Sequence, residues 1–254
     1  MMDKRTVKLT ISYDGTNYSG WQKQKNANTI QEEIEKQLAI ILNAKSITLH
    51  GAGRTDAGVH AKAMIAHFHT GKERTPQAIQ NGLNSMLPKD IRITDCQEQN
   101  PGFHARFSAI AKLYSYHIYT GTIQAPTERL YCTHVPKELD IPAMQSCLSL
   151  LLGCHDFSSF EAAGSRDTSL TEGRGAVRTL LEARLEHEKN AITLFLKGDG
   201  FLRHMVRNIA GTLIEVGKGK RSVENFKEVL NAKDRSQGGS TAPAHGLFLE
   251  KVFY

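Results

Sequence analysis

The residues best suited to chemistry lie between positions 51 and 61, in the run Gly-Ala-Gly-Arg-Thr-Asp-Ala-Gly-Val-His-Ala. Its glycines and alanines leave little side chain to pack and let the backbone turn sharply. Arg54 and Asp56 stand two residues apart, so an extended segment points both side chains the same way, and a guanidinium keeps a neighbouring carboxylate ionised. The pattern fits either a carboxylate presented to a substrate or a surface turn that an Arg–Asp pair stabilises. A phosphate loop is not indicated, because the Gly-Lys-[Ser/Thr] signature is absent.

The elements that must position this run follow the order β-α-β-β-α-β in the first half of the chain. Alternating apolar residues from Val7 to Tyr13 predict a half-buried strand. Thr29-x-x-Glu32 predicts a capping box before one helix, and Thr75 with Pro76 predicts the start of a second helix. Short apolar segments at 47–49, 63–68 and 91–95 supply the other strands.

The second half repeats this order. It predicts a strand over 113–119, a helix after Pro142, a hairpin turning at Lys189-Asn190, a helix over 201–216, a shorter helix capped by Ser222, and a last strand over 247–253. The simplest architecture that fits this order is therefore an α+β fold of two ferredoxin-like halves, residues 1–104 and 105–254. Residues 158–175 are either a binding loop or a disordered one, and residues 237–240 are expected to form a flexible joint.

Composition narrows the class of protein. The chain has 254 residues, a net charge of +6 and 40% apolar residues, which is ordinary for a globular protein. No stretch reads as a membrane span or secretory signal, and the four cysteines form no CxxC pair, so reduced thiols in the cytoplasm are expected. The last 54 residues hold 9 basic and 5 acidic side chains. Their excess charge fits either a polyanionic partner or a solvated basic face.

Six collinear segments resemble the TruA family of tRNA pseudouridine synthases. The run at 51–61 is similar to the active-site motif of that family. The other five segments are 13–22 (Tyr-Asp-Gly-Thr-Asn-Tyr-Ser-Gly-Trp-Gln), 103–108 with 112–116, 155–165, 204–211 and 246–249. One glycine-rich match could arise by chance, whereas six matches in order are specific.

The resemblance implies an isomerase that breaks the N-glycosidic bond of a uridine in tRNA, turns the uracil and joins C1′ to C5. It implies modification at positions 38, 39 and 40 of the anticodon stem-loop by a homodimer that needs no cofactor and no metal. It also implies a mixed sheet of the pseudouridine-synthase type, with the active-site cleft between the two halves.

The resemblance also implies residue roles. Asp56 takes the position of the nucleophile, and Arg207 that of the arginine that pairs with this carboxylate. Tyr114 would stack on the uracil, whereas without the family match it reads as an ordinary strand aromatic. Arg54 would fill the gap that the extruded nucleotide leaves, and Leu247 would wall the base.

The basic residues near the second arginine carry a related hypothesis. Arg203 is expected to bind substrate and, being four residues from Arg207, to share its helical face. Arg203, Lys218, Lys220 and Arg221 are predicted to bind phosphates, and otherwise form a solvated face.

Two other functions remain open. The first is a non-catalytic RNA-binding module on the same fold, although the usual aromatic strand motif of such modules is absent. The second is a metal hydrolase using Asp56, His60, His67 and His69. His67 and His69 would share one strand face, but no His-Glu-x-x-His motif accompanies them.

Overall fold

The computed structural model describes residues 5–165 and 173–254. The chain forms two compact units, one reaching to Ile110 and also containing Phe248–Tyr254, and the other spanning Ala111–Leu247. The first unit contains β1 (Arg5–Tyr13), α1 (Ile30–Ile41), β2 (His50–Gly51), β3 (His60–Thr70), α2 (Pro76–Met86) and β4 (Ile91–Gln99). Its strands lie in the order β4-β1-β3-β2 with antiparallel neighbours, which is a ferredoxin-like arrangement.

The core of the first unit largely follows the predicted patterns, although the strand predicted at 47–49 forms at His50–Gly51 instead. Alternate residues of β1 are buried, and most of the apolar residues along one face of α1 and of α2 are buried with them, although Met86 is 40% exposed. Thr75 caps α2 by accepting a hydrogen bond from the Ala78 N–H at 3.2 Å. The capping box at α1 is wrong in one respect, because the Thr29 side chain makes no cap hydrogen bond and only its carbonyl accepts, from the Glu33 N–H.

The second unit contains β5 (Ala111–Tyr119), β6 (Thr133–His134), α3 (Ile141–Leu150), β7 (Gly153–Asp156), β8 (Val177–Glu188), β9 (Ala191–Gly198), α4 (Met205–Gly217) and α5 (Val223–Ala232). The strands lie in the order β5-β9-β8-β7, all antiparallel, and β6 runs parallel to β5. The hairpin at Lys189-Asn190 and the Ser222 cap are confirmed. The short strands β6 and β7 were not predicted.

Two local expectations for the second unit are wrong. Helix α4 begins at Met205 rather than 201, because His204 has a left-handed φ of 62° that interrupts the helical backbone. Residues 237–240 are a fixed segment rather than a flexible joint. Gly239 N–H donates to the Thr212 hydroxyl and Ser240 N–H donates to a Glu215 oxygen, each at 3.0 Å.

The last strand, β10 (Leu247–Phe253), forms as predicted. Residues 248–254 nevertheless belong with the first unit, whereas the sequence assigned them to 105–254. Phe248 and Leu249 pair in parallel with His60 and Ala61 of β3, and these pairings explain the difference. The α+β class is confirmed. Within the predicted loop at 158–175, residues 158–160 form one 3-10 turn, and residues 166–172 lie outside the described part of the chain.

Candidate active site

Asp56 lies on a loop, residues 52–59, that we call the aspartate loop. Ala52 N–H donates to Ile65 O of β3 at 2.7 Å and starts the loop. Thr55 O accepts from the Trp21 N–H at 3.1 Å, and Asp56 O accepts from the Val59 N–H at 3.2 Å. The Asp56 side chain is half-buried. Backbone hydrogen bonds on both sides therefore fix where this carboxylate is presented.

A segment at residues 13–22 packs against the aspartate loop so closely that glycine is required at some positions. Gly20 has a φ of +91°, and a Cβ there would lie 2.5 Å from Thr55 O. A Cβ on Gly15 would lie 2.0 Å from Val59 O. Beside them, the Tyr13 hydroxyl and the Thr55 hydroxyl are hydrogen-bonded at 2.8 Å in the interior. The loop is thus held by backbone contact and by a buried side-chain hydrogen bond.

His60 supports this same region. Its Nδ1 accepts from the Gly15 N–H at 3.1 Å and lies 3.1 Å from Asp14 Oδ1. Its ring stacks on Phe248 with centroids 4.6 Å apart. A histidine with these contacts, almost fully buried, is suited to holding the loop rather than to meeting a substrate.

Arg54 is exposed, and its Nε donates to Gln22 Oε1 at 3.1 Å. This contact with a neutral side chain does not support the alternative of a surface turn stabilised by an Arg54–Asp56 pair. Arg54 thus stays on the surface, two residues from the carboxylate and directed by a neutral partner.

In the second unit, Arg207 lies in the first turn of α4 and is half-buried. Its Nε donates to Ala242 O at 2.8 Å, and its own carbonyl accepts from the Ala242 N–H at 3.1 Å. This reciprocal pair joins α4 to the segment that leads into Leu247. The guanidinium is thereby fixed at its Nε.

Tyr114 on β5 is only 8% exposed, and its ring meets Phe201 edge-on at 4.9 Å. Leu247 is also buried. Two residues from Tyr114, the Tyr116 hydroxyl donates to Pro243 O at 2.9 Å. Burial raises the pKa of Tyr116, so this hydroxyl keeps its proton and the hydrogen bond that positions the approach to Leu247.

The basic residues separate into two groups. Arg203 and Lys220 are exposed, and Arg203 precedes α4, so its predicted shared face with Arg207 is wrong. Arg221 instead binds Glu215, with Nε and Oε2 2.6 Å apart. Burial raises the pKa of Glu215, but hydrogen bonds from Arg221 and Ser240 outweigh this and lower it overall. Arg221 is therefore a structural partner of a carboxylate, which argues against the phosphate-binding role predicted for it.

The residues of the metal-hydrolase alternative do not assemble. Across residues 5–165 and 173–254, no group of three His, Cys, Asp or Glu side chains is arranged to hold a metal ion. His67 and His69 do lie on one strand, with ring centroids 5.2 Å apart, but His60 is held by Gly15 and Asp14.

None of the helices in the described part of the chain is long and apolar enough to cross a membrane.

The protein is thus an α+β protein that presents a carboxylate on a loop held by backbone hydrogen bonds. Comparison with known proteins identifies its family. The tRNA pseudouridine synthase family matches residues 9–108 and 148–254. The chain is 56% identical to tRNA pseudouridine synthase A 1 of Desulfotalea psychrophila, over 98% of this chain and 100% of that protein.

Two further relatives are similar over comparable lengths. The chain is 43% identical to tRNA pseudouridine synthase A 1 of Protochlamydia amoebophila, over 97% of this chain and 95% of that protein. It is also 43% identical to tRNA pseudouridine synthase A of Acetivibrio thermocellus, over 98% and 100%. The chain therefore belongs to the tRNA pseudouridine synthase family.

Several residues around the candidate site had no predicted role. Tyr13, Gly20 and Trp21 lie in the segment 13–22, which resembles the family, but their contacts with the aspartate loop link residues more than 30 positions apart. Phe201 could have been found only as an aromatic placed shortly before the two arginines. Ala242 acts through its backbone, so its residue type carries no signal.

Proposed function

We propose that this protein isomerises uridine to pseudouridine in tRNA, at positions 38, 39 and 40 of the anticodon stem-loop. The observation that carries the proposal is the family match over residues 9–108, within which Asp56 stands on a loop braced from both sides. The relatives are named tRNA pseudouridine synthases, and we assign the same isomerase activity to this chain.

The reaction breaks the bond between uracil N1 and ribose C1′ and forms a bond between C5 and C1′. The proton on C5 leaves to solvent and N1 gains a proton, so the atoms balance without a co-reactant. An anionic group that attacks an electron-poor carbon, or removes a sugar proton, is what this chemistry requires. Asp56 supplies that carboxylate, and the hydrogen bonds of the aspartate loop keep it from relaxing away from the substrate.

We assign the remaining roles on the same basis. Arg54, exposed on the aspartate loop, fills the gap in the RNA stack when the uridine turns out, an extrusion that costs a few kcal/mol. Arg207, fixed at Nε by Ala242, aims and stabilises the carboxylate. Tyr114 stacks on the uracil with Phe201 supporting its ring edge-on, and Leu247 walls the base. Arg203 binds a phosphate from its exposed position.

We propose further that the protein works as a homodimer in the cytoplasm. The four cysteines are free thiols, in keeping with a reducing compartment. Sedimentation of the purified protein tests the dimer directly.

Release of tritium from a tRNA transcript labelled at uridine C5 tests the activity, because C5 must lose its hydrogen when it joins C1′. We expect release by the wild type, none by Asp56→Asn, and tRNA binding retained by both. Asp95→Asn is the matched control, since it removes one charge from a half-buried aspartate on β4 of the same unit.

Two outcomes would redirect the proposal. Absence of wild-type release on a tRNA with uridines at 38–40, with binding intact, would favour the non-catalytic RNA-binding module. Tritium release by Asp56→Asn at the wild-type rate would show that Asp56 takes no part in the reaction. Stem-loop transcripts with a single uridine at 38, 39 or 40 then separate the three positions.

A further inference from the structure

A cluster of rings lies on the first unit, away from the aspartate loop. We call it the ring platform and define it as His50, His104 and Phe107 with the guanidinium of Arg106. His104 stacks on Phe107 with centroids 4.3 Å apart and planes 29° apart. His50 lies 5.8 Å from His104, and the Arg106 guanidinium carbon lies 5.8 Å from the Phe107 centroid.

Hydrogen bonds to the backbone of residues 105–107 hold the ring platform in place. His104 Nδ1 accepts from the N–H groups of Arg106 and Phe107, at 3.1 and 3.3 Å. The Ala105 N–H donates to Nδ1 of His67 at 3.1 Å, and the Tyr254 hydroxyl donates to Ala105 O at 2.7 Å. The rings are therefore pre-positioned, and a ligand that stacked on them would cost little ordering.

Exposure singles out Phe107. This phenyl ring is 77% exposed, although one of its faces stacks against His104. A large aromatic ring left in water on a short, well-anchored segment loses the stabilisation that burial would give it. Placing it on the surface is consistent with a second ring binding there.

The guanidinium of Arg106 beside the ring platform favours an anionic partner. The pKa of His104 is lowered by burial and then by the neighbouring His50, Arg106 and His69, all of which are basic groups. Aromatic and imidazole rings combined with a guanidinium are the surface that single-stranded RNA bases and their phosphates bind. A protein surface seeking apolar contact would gain little from the guanidinium of Arg106 beside the rings.

We propose that the ring platform stacks an unpaired base of the RNA substrate, separate from the uridine that reacts, with Arg106 contacting the adjacent phosphate. The proposal rests on the proposed function for the identity of the RNA. It assigns an RNA-binding role to Phe107, His104, His50 and Arg106, none of which acts on the reacting atoms.

The test compares three substitutions at Phe107 by filter binding of full-length tRNA. Loss of a stacked base weakens binding by about 5- to 150-fold, and we expect that loss in both Phe107→Ala and Phe107→Leu, because leucine keeps apolar bulk but has no π face. Phe107→Tyr should bind like the wild type. Ile123→Ala, at an 83% exposed apolar residue of the second unit, is the matched control and should change nothing.

Two results would overturn the proposal. Phe107→Leu binding tRNA as tightly as the wild type would mean that stacking is not used. A change in sedimentation of Phe107→Ala without a change in tRNA affinity would mean that the ring platform joins two copies of the protein. Wild-type tritium release, measured in parallel, separates the hypotheses. An unchanged affinity with active wild type refutes only the platform, whereas an inactive wild type refutes the proposed function whatever the affinities are.

Discussion

Replacing Gly20 with alanine tests whether Asp56 works only where the neighbouring segment holds it. A Cβ on Gly20 would lie 2.5 Å from Thr55 O and 3.0 Å from the carbonyl carbon of Asp56. Ordinary contact begins at about 3.4 Å, so the Thr55 carbonyl would have to retreat by about 0.9 Å. The peptide groups that must move are those that carry Asp56.

The expected loss can be stated in two parts. A displacement of about 1 Å in a reacting group costs on the order of 100-fold in rate, or about 2.7 kcal/mol of activation free energy. Alanine at the left-handed φ of Gly20 also lowers the free energy of unfolding by about 1–2 kcal/mol, and this loss of stability is independent of the contact. Only the first part acts on chemistry.

Single-turnover tritium release at saturating tRNA measures the rate, and urea denaturation measures stability. Gly153→Ala is the matched control, because Gly153 has a φ of +93° and the nearest atom to its Cβ would be His155 Nε2 at 3.9 Å. It should share the loss of stability and keep the rate. Gly20→Ala reacting at the wild-type rate would refute the reasoning, as would an equal loss of rate in Gly153→Ala.

Other perturbations have separate readouts. His67 has a pKa lowered to about 4 by burial and by neighbouring histidines, so unfolding takes up a proton between pH 6.5 and 4. Stability should therefore fall by about 2 kcal/mol on acidification from pH 7 to 5, and denaturation of His67→Asn should lack that loss. Lys220→Ala should reduce the slope of log K against log salt for tRNA binding by about one, whereas Arg221→Ala should leave the slope and lower stability, because it breaks the pair with Glu215. Tyr13→Phe, which removes the buried hydrogen bond to the aspartate loop, should slow tritium release more than it weakens tRNA binding; equal effects on both would contradict a positioning role.

The sequence was most informative where one local rule governed an element. Period-two alternation identified β1, and Thr75 followed by Pro76 identified the start of α2, because each depends on neighbours a few residues away. The predicted start of α4 was wrong because His204 has a left-handed backbone, and its residue type does not signal this as a glycine or asparagine would. Short β6 and β7 were missed because they form only by pairing with β5 and β8.

The candidate site was predictable to a similar degree. Asp56, Arg207 and Tyr114 were found through matching segments, and their roles stay predictions. Spacing along the chain did not reveal the hydrogen bond from Arg54 to Gln22, because the two residues lie 32 positions apart. The predicted flexible joint at 237–240 failed for the same reason, since its partners, Thr212 and Glu215, lie on a helix some 25 residues earlier.

The return of residues 248–254 to the first unit has a consequence for synthesis of the chain. Phe248 pairs with His60, the Ile110 N–H donates to Phe253 O, and the Tyr254 hydroxyl holds the backbone at Ala105. At a translation rate of about 5–20 residues per second, these partners emerge roughly 7 to 30 s after Ile110. During that interval the edge of β3 near His60 is without its strand. The first unit is thus synthesised first but completed last. We expect nascent chains to be more susceptible to proteolysis in this unit until residues 248–254 have been made.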